Sequence, residues 1–180
     1  MARVDAEDGY GWEKLFSERM CRHFREDFGL YTRVARFHNV YGPYGTWDGG
    51  REKAPAAMCR KVAEAQDGDA IEVWGDGTQI RNWTYIDDIV RGTIAALDTP
   101  LGYEIFNLGC SRPVVMRRLV ELIEEYTGRQ AVIQDQPLPP SDFMVNYADI
   151  SKARRLLGYE PTVPVEEGMR RFVDWYISRP

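Results

Sequence analysis

From Tyr10 to Phe28 apolar residues return with a helical period, at Leu15, Phe16, Met20, Phe24 and Phe28, and Gly29 follows as a C-terminal stop. Tyr31–Phe37 is rich in β-branched and aromatic residues and predicts a strand. A long loop dense in turn formers follows, with Tyr41-Gly42-Pro43-Tyr44-Gly45 and Asp48-Gly49-Gly50. The next helix is expected from about Pro55 to Gln66, with proline in its first turn. Ile71–Trp74 and Arg81–Tyr85 flank Gly75-Asp76-Gly77 and read as two strands of a hairpin around a tight connection. Asp87–Leu97 reads as a helix capped by Asp87 and Asp88, and Tyr103–Leu108 as a strand. Met116, Leu119, Leu122, Ile123 and Tyr126 form the apolar face of an amphipathic helix over Val114–Thr127, ended by Gly128. Ala131–Gln134 is a short strand, Gln136–Phe143 a proline-rich loop, Ser151–Leu157 a short helix capped by Ser151, and Val165–Ile177 the last helix. Alternating strands and helices imply an α/β class with partly parallel pairing.

The chain has 180 residues and 44% apolar content, which suits one globular core. Its 23 Lys and Arg against 28 Asp and Glu give a net charge of −5, so nucleic acid and anionic membrane are not expected partners. No apolar run approaches the roughly 20 residues that span a bilayer. The opening MARVDAEDGYGWEK has no hydrophobic stretch of the signal-peptide kind. Cys21, Cys59 and Cys110 lie far apart with no C-x-x-C pair, and there are only two histidines. A disulfide framework or metal centre is therefore not expected, and the reducing cytoplasm is the expected compartment.

Tyr10 and Lys14 are four residues apart, hence neighbours on one helix face. A cation beside a phenol stabilises phenolate and equips the tyrosine as a base, although the same spacing also describes a solvated face. Arg36-Phe37-His38-Asn39-Val40-Tyr41-Gly42-Pro43 sets polar groups at a strand's C-terminal edge, where open α/β sheets bind ligands. An ordinary strand exit reads the same way, and His38 alone suits a structural role. Arg81 offers a planar fork suited to a diphosphate, or alternatively a partner for a nearby carboxylate.

In this order, these blocks resemble the extended short-chain dehydrogenase/reductases that epimerise or dehydrate nucleotide sugars. The resemblance extends through Tyr85-Ile86-Asp87-Asp88, Asn107-Leu108-Gly109, Asp149–Arg154, Leu157–Pro161 and Glu167-Gly168 to Trp175-Tyr176, covering about residues 8–177. Tyr10 to about Lys61 is similar to GDP-mannose 3,5-epimerases, notably in Phe37-His38-Asn39 and in Gly45-Thr46-Trp47-Asp48-Gly49-Gly50-Arg51-Glu52-Lys53-Ala54-Pro55. From about Tyr103 the chain looks more like UDP-glucuronate 4-epimerases. The resemblance implies a partial Rossmann-type fold over 1–45, with returning elements near 81–109, and a small α/β sugar-nucleotide domain over most of 46–180. It implies NAD as cofactor, a nucleotide sugar as substrate and a homodimer or larger assembly. Tyr10, Lys14 and Lys53 take catalytic positions; Asn39, Arg81, Arg51 and Trp47 face substrate; and Tyr10, Lys14 and His38 face NAD. Alternative readings are a UDP-sugar 4-epimerase and a catalytically silent sugar-nucleotide-binding module.

The sequence departs from the family pattern in three places. It has no Gly-x-x-Gly-x-x-Gly loop to cradle a dinucleotide pyrophosphate, so NAD binding by this chain alone is expected to be weak or absent and the chain alone inactive. None of its cysteines occupies the place of the 3,5-epimerases' proton-transfer cysteine. Met144 stands where those enzymes have a substrate-binding arginine.

Overall fold

The computed structural model describes residues 9–66, 69–137 and 144–179. In chain order it comprises α1 (Gly9–Phe28), β1 (Thr32–Phe37), β2 (Val40–Tyr41), α2 (Ala54–Glu64), β3 (Ala70–Trp74), β4 (Ile80–Arg81) and β5 (Thr84–Tyr85). These are followed by α3 (Ile86–Asp98), β6 (Tyr103–Leu108), β7 (Val114–Val115), α4 (Met116–Thr127), β8 (Val132–Gln136), β9 (Val145–Asn146), α5 (Ser151–Leu157) and α6 (Val165–Ser178). Among the described residues pairing is mostly parallel, β1 with β6, β2 with β5, β3 with β8, and β4 with β9, whereas β4 with β7 and a single bridge from Gly75 to Gln136 are antiparallel. The expected α/β class is therefore present. Residues 138–143 of the proline-rich loop lie outside the described residues.

Two apolar clusters form. One gathers Ile89, Phe106, Leu108, Ile150, Ala153 and Tyr159 between β6, α3 and α5. Gly92 permits this packing, because a Cβ there would lie 2.8 Å from the Tyr159 ring. The other joins the apolar faces of α2, α4 and α6, with Val62, Leu119, Leu122, Ile123, Met169 and Val173 fully buried. α1 buries no residue completely and leans on β1 along one side.

Three expectations are corrected. β3 and β4 form no hairpin: β3 pairs with β8, whereas β4 lies between β7 and β9. The turn's carbonyls are already committed, Gly77 and Gln79 accepting from the N–H groups of Arg117 and Met116 at 3.0 and 2.9 Å. The intervening loop thereby serves the otherwise unpaired donors of the α4 N-terminus. Val114 and Val115 do not begin that helix but pair with Arg81 and Ile80, as suits two β-branched residues. The helix caps also differ. Ser151 does not cap α5; the Asp149 carboxylate accepts from Ser151 N at 2.9 Å.

Asp88 likewise does not cap α3. Its carboxylate is 1% exposed and accepts from Thr162 N at 2.9 Å and Val163 N at 3.1 Å, with Arg91 as a further partner. It thus ties α3, in the first cluster, to the segment that launches α6 in the second. Asp88→Ala leaves two buried N–H groups unpaired and is expected to cost about 3 kcal/mol. The measurement is the urea midpoint, which should fall while the slope of the transition stays unchanged.

Candidate functional site

The ladder between β1 and β6 brings Phe37 level with Leu108, and His38 N then donates to the Leu108 carbonyl at 3.0 Å. His38 and Asn39 therefore emerge beside Gly109 and Cys110, at the C-terminal edge of two parallel strands. Approach is close here: a Cβ on Gly109 would lie 3.0 Å from His38 Cβ and 3.2 Å from Ala148 Cβ. Asn39 adopts φ +44°, a left-handed conformation that asparagine tolerates better than most residues. Thr84 holds this corner, donating N–H to the Asn39 carbonyl at 3.0 Å and its hydroxyl to the His38 carbonyl at 2.9 Å.

The Asn39 side chain is left with Nδ2 buried and unpartnered. Asn82 Nδ2 donates to the Cys110 carbonyl, and its Oδ1 is also buried without a partner, as is Trp83 Nε1. Unpaired buried polar atoms are costly, and several together at a strand edge mark a place built for a ligand. Asn82 and Trp83 are not among the site residues expected from sequence. Nothing in the sequence marks them, because the burial of every position of Arg81–Tyr85 is decided by the fold.

α1 runs antiparallel to β1. Arg36 donates to Glu18 through Nε and Nη2 at 2.6 and 2.5 Å, while Thr32, at the other end of β1, donates to the Cys21 carbonyl at 2.8 Å. At 1.5 Å per residue, Lys14 and Tyr10 stand about 6 and 12 Å beyond Glu18, toward the end where His38 and Asn39 emerge. The Lys14 ammonium is 5.0 Å from the centre of the Tyr10 ring, and Tyr10 is 68% exposed. The helical spacing thus does bring this pair together.

The remaining expected residues lie elsewhere on the fold. Arg51 and Lys53 are exposed, and Lys53 is the extended residue immediately before α2. The first turn of α2 has no acidic residue, so the helix dipole there faces a cation instead of an anion. Arg60 anchors the loop, donating to the Glu52 carboxylate at 2.8 Å and to the Trp47 carbonyl at 3.2 Å. The Trp47 ring is committed to Tyr176, edge to face at 5.7 Å, and to the Arg179 guanidinium 3.8 Å away. Arg81 is 7% exposed and donates to the Met144 and Ile80 carbonyls at 3.3 and 2.9 Å. Met144 is half exposed.

Burial pushes the Cys59 thiol up to about 12, and burial likewise raises Tyr41, so neither is poised to react. Among the described residues no group of three or more His, Cys, Asp or Glu could hold a metal ion, and no helix is long and apolar enough to cross a membrane.

Residues 2–109 match the model of the NAD dependent epimerase/dehydratase family. GDP-mannose 3,5-epimerase 1 of Oryza sativa is 40% identical over 172 residues, 96% of this chain and 44% of that protein. UDP-glucuronate 4-epimerase of Thermodesulfobacterium geofontis is 39% identical over 167 residues, 92% of this chain and 49% of that protein. UDP-glucuronic acid 4-epimerase from Bacillus cereus, solved with UDP-glucuronic acid and NAD, superposes with a TM-score of 0.81 at 30% identity, covering 97% of this chain and 57% of its own. The chain spans about half the length of the curated relatives it matches.

Burial, and then the Arg36 charge, push His38 below the ordinary histidine value of 6.5. Protonation is therefore harder in the folded state, and the associated stability is complete above pH 6.5 and lost as pH falls through the depressed value. Lowered carboxylates such as Glu52 and Asp149 act only at more acidic pH. Melting temperature is expected to fall as pH drops below 6.5, and His38→Asn should flatten the first part of that fall in a pH series of thermal melts.

Proposed function

The chain belongs to the NAD dependent epimerase/dehydratase family, and on that premise we propose that it carries the catalytic helix and sugar-nucleotide side of a nucleotide-sugar epimerase. The favoured chemistry is 3,5-epimerisation of a GDP-sugar through a transient 4-keto sugar. The observation that carries the reading is the Tyr10–Lys14 pair, 5.0 Å from ammonium to ring, on a helix directed at the edge where Asn39 has an unpartnered Nδ2. In this reading residues 1–45 and the elements near 81–109 serve the cofactor side, and most of 46–180 serves the sugar nucleotide.

The donor set fits the nicotinamide-ribose end of NAD, where Tyr10, Lys14 and His38 would hold it. The backbone cradle for its pyrophosphate has no counterpart in these 180 residues. When bound, NAD supplies the acceptor for a hydride from the sugar. The Lys14 ammonium stabilises Tyr10 as phenolate, and that phenolate takes the proton of the C4 hydroxyl and becomes the neutral phenol as the hydride leaves C4. The resulting ketone acidifies the C–H bonds at C3 and C5, and Lys53, exposed before α2, serves as one member of the acid/base pair that moves protons on the two faces of those carbons, its partner coming from outside these 180 residues. Asn39 orients the sugar, Arg51 and Trp47 line its approach, and Arg81 contributes positive charge for the diphosphate.

The 39% identity to a UDP-glucuronate 4-epimerase supports a second reading, simple C4 inversion, which needs Tyr10 but not Lys53. Three cysteines outside any disulfide suit the cytoplasm as the place of action. Phe16, Phe24 and Phe28 on α1 are 65, 43 and 71% exposed, and this face is assigned to a second copy in a homodimer. Light scattering at micromolar concentration should give at least twice the chain mass; a clean monomer rejects the dimer.

The chemical roles separate in a preparation supplied with a glycine-loop half. Tyr10→Phe should abolish NADH formation and everything after it. Lys53→Met should leave NADH formation largely intact while lowering solvent deuterium incorporation at C3 and C5 by about 10²–10⁴-fold. Undiminished exchange in Lys53→Met removes Lys53 from the mechanism and moves the C4 reading ahead.

A further inference from the structure

The Arg179 guanidinium lies 3.4 Å from the centre of the Tyr176 ring and 3.8 Å from that of Trp47, and the two rings meet edge to face at 5.7 Å. A cation held on two aromatic faces is well anchored. Beside it, where α2, α4 and α6 end, a cavity of about 450 Å³ is lined by Ala63, Thr127, Arg129, Tyr176, Ile177 and Arg179. Lys53 precedes the opposite end of α2, 11 residues long, and so stands about 15 Å from this cavity at 1.5 Å per residue. The cavity is therefore separate from the sugar edge.

Its lining carries two guanidiniums and no carboxylate, in a chain whose net charge is −5. Each arginine first serves a carbonyl near a helix end. Arg129 Nη1 donates to the Ala65 carbonyl at 2.7 Å, and Arg179 Nη1 to the Tyr176 carbonyl at 3.0 Å. Those bonds offset the negative ends of α2 and α6 and hold both side chains in place. A guanidinium has five N–H donors, so each fork keeps donors beyond the one given to the backbone. The Glu64 carboxylate, at the end of α2, accepts from the Tyr176 hydroxyl at 2.9 Å. The Tyr176 ring and Ile177, 60% exposed, add an apolar wall beside the charges.

We propose that this cavity is an effector site that binds a phosphate group through Arg129 and Arg179. Planar forks match the oxygens of phosphate, and the volume admits a small organic body behind it. An ion gripping the edge of the Arg179 fork leaves its face on Tyr176 and Trp47. The Trp47 carbonyl accepts from Arg60 at 3.2 Å, and Arg60 also donates at 2.8 Å to the carboxylate of Glu52, the residue before Lys53. Occupation of the cavity therefore steadies Trp47 and, through Arg60, the segment that ends at Lys53. The site lies beyond the nucleotide-sugar reading and does not depend on it.

The test is calorimetric titration of this chain with inorganic phosphate and with phenyl phosphate, and of Arg129→Gln and Arg179→Gln with the same two. Wild type should bind saturably, and each variant should bind roughly ten- to a hundredfold more weakly, the value of one hydrogen bond to a charged group. Tighter binding of phenyl phosphate identifies an organic phosphate as the ligand, and equal affinity identifies free phosphate. No saturable binding by wild type, or an affinity unchanged in both variants, overturns the site. Amide hydrogen exchange across residues 47–53 of wild type should slow at saturating phosphate. Unchanged exchange overturns the coupling to that segment. The wild-type titration and exchange comparison stand whether or not the variants fold.

Discussion

The parallel ladder between β1 and β6, with Phe106 and Leu108 buried completely beneath it, is the constraint on which the site's placement depends. Six paired residues bring Phe37 and Leu108 to the same height, so the two chains leave the sheet together. Parallel strands cannot be joined by a tight turn, and the connection from β1 to β6 contains α2, β3 and α3. The chain that wraps out and back supplies α2, whose apolar face joins the second cluster, and the strand-like run Arg81–Tyr85 that closes the edge.

At that edge, packing and chemistry act against each other. Gly109 must lack a side chain because His38 and Ala148 approach within contact distance, and Asn39 is held at positive φ by two bonds from Thr84. The same compactness strands Asn39 Nδ2, Asn82 Oδ1 and Trp83 Nε1 in the interior. A chain selected for stability alone would pair such atoms or replace them with apolar groups. Their retention beside a helix carrying Tyr10 and Lys14 is what sets this edge apart from the rest of the surface.

The two clusters are held to each other by directed polar contacts. Asp88 reaches from α3 to the backbone at Thr162 and Val163, and within the first cluster the Tyr159 hydroxyl donates to the Gly109 carbonyl at 3.0 Å. Because those bonds are buried, they fix geometry between the strand edge and the α2–α4–α6 layer more tightly than apolar contact alone.

Local features were legible from the residues alone. Periodicity located α1, α3, α6 and β6 nearly to their ends; Gly29, Gly128 and Gly158 sit at positive φ at helix ends, and the i, i+4 spacing of Tyr10 and Lys14 placed them on one face. The family pattern, spread over ordered blocks, was equally visible, because a motif is a statement about residue types along the chain. Partners across the chain were not legible. Nothing near Gly75-Asp76-Gly77 reveals that β3 will pair with β8 and β4 with β7 and β9. The inward turn of Asp88, the commitment of Arg81 to the Met144 carbonyl and the stranded oxygen of Gln79 were likewise decided by tertiary structure. The physical reason is one of range: helix period and turn chemistry depend on residues a few positions apart, whereas the fate of a buried donor or acceptor depends on which distant backbone folding brings against it.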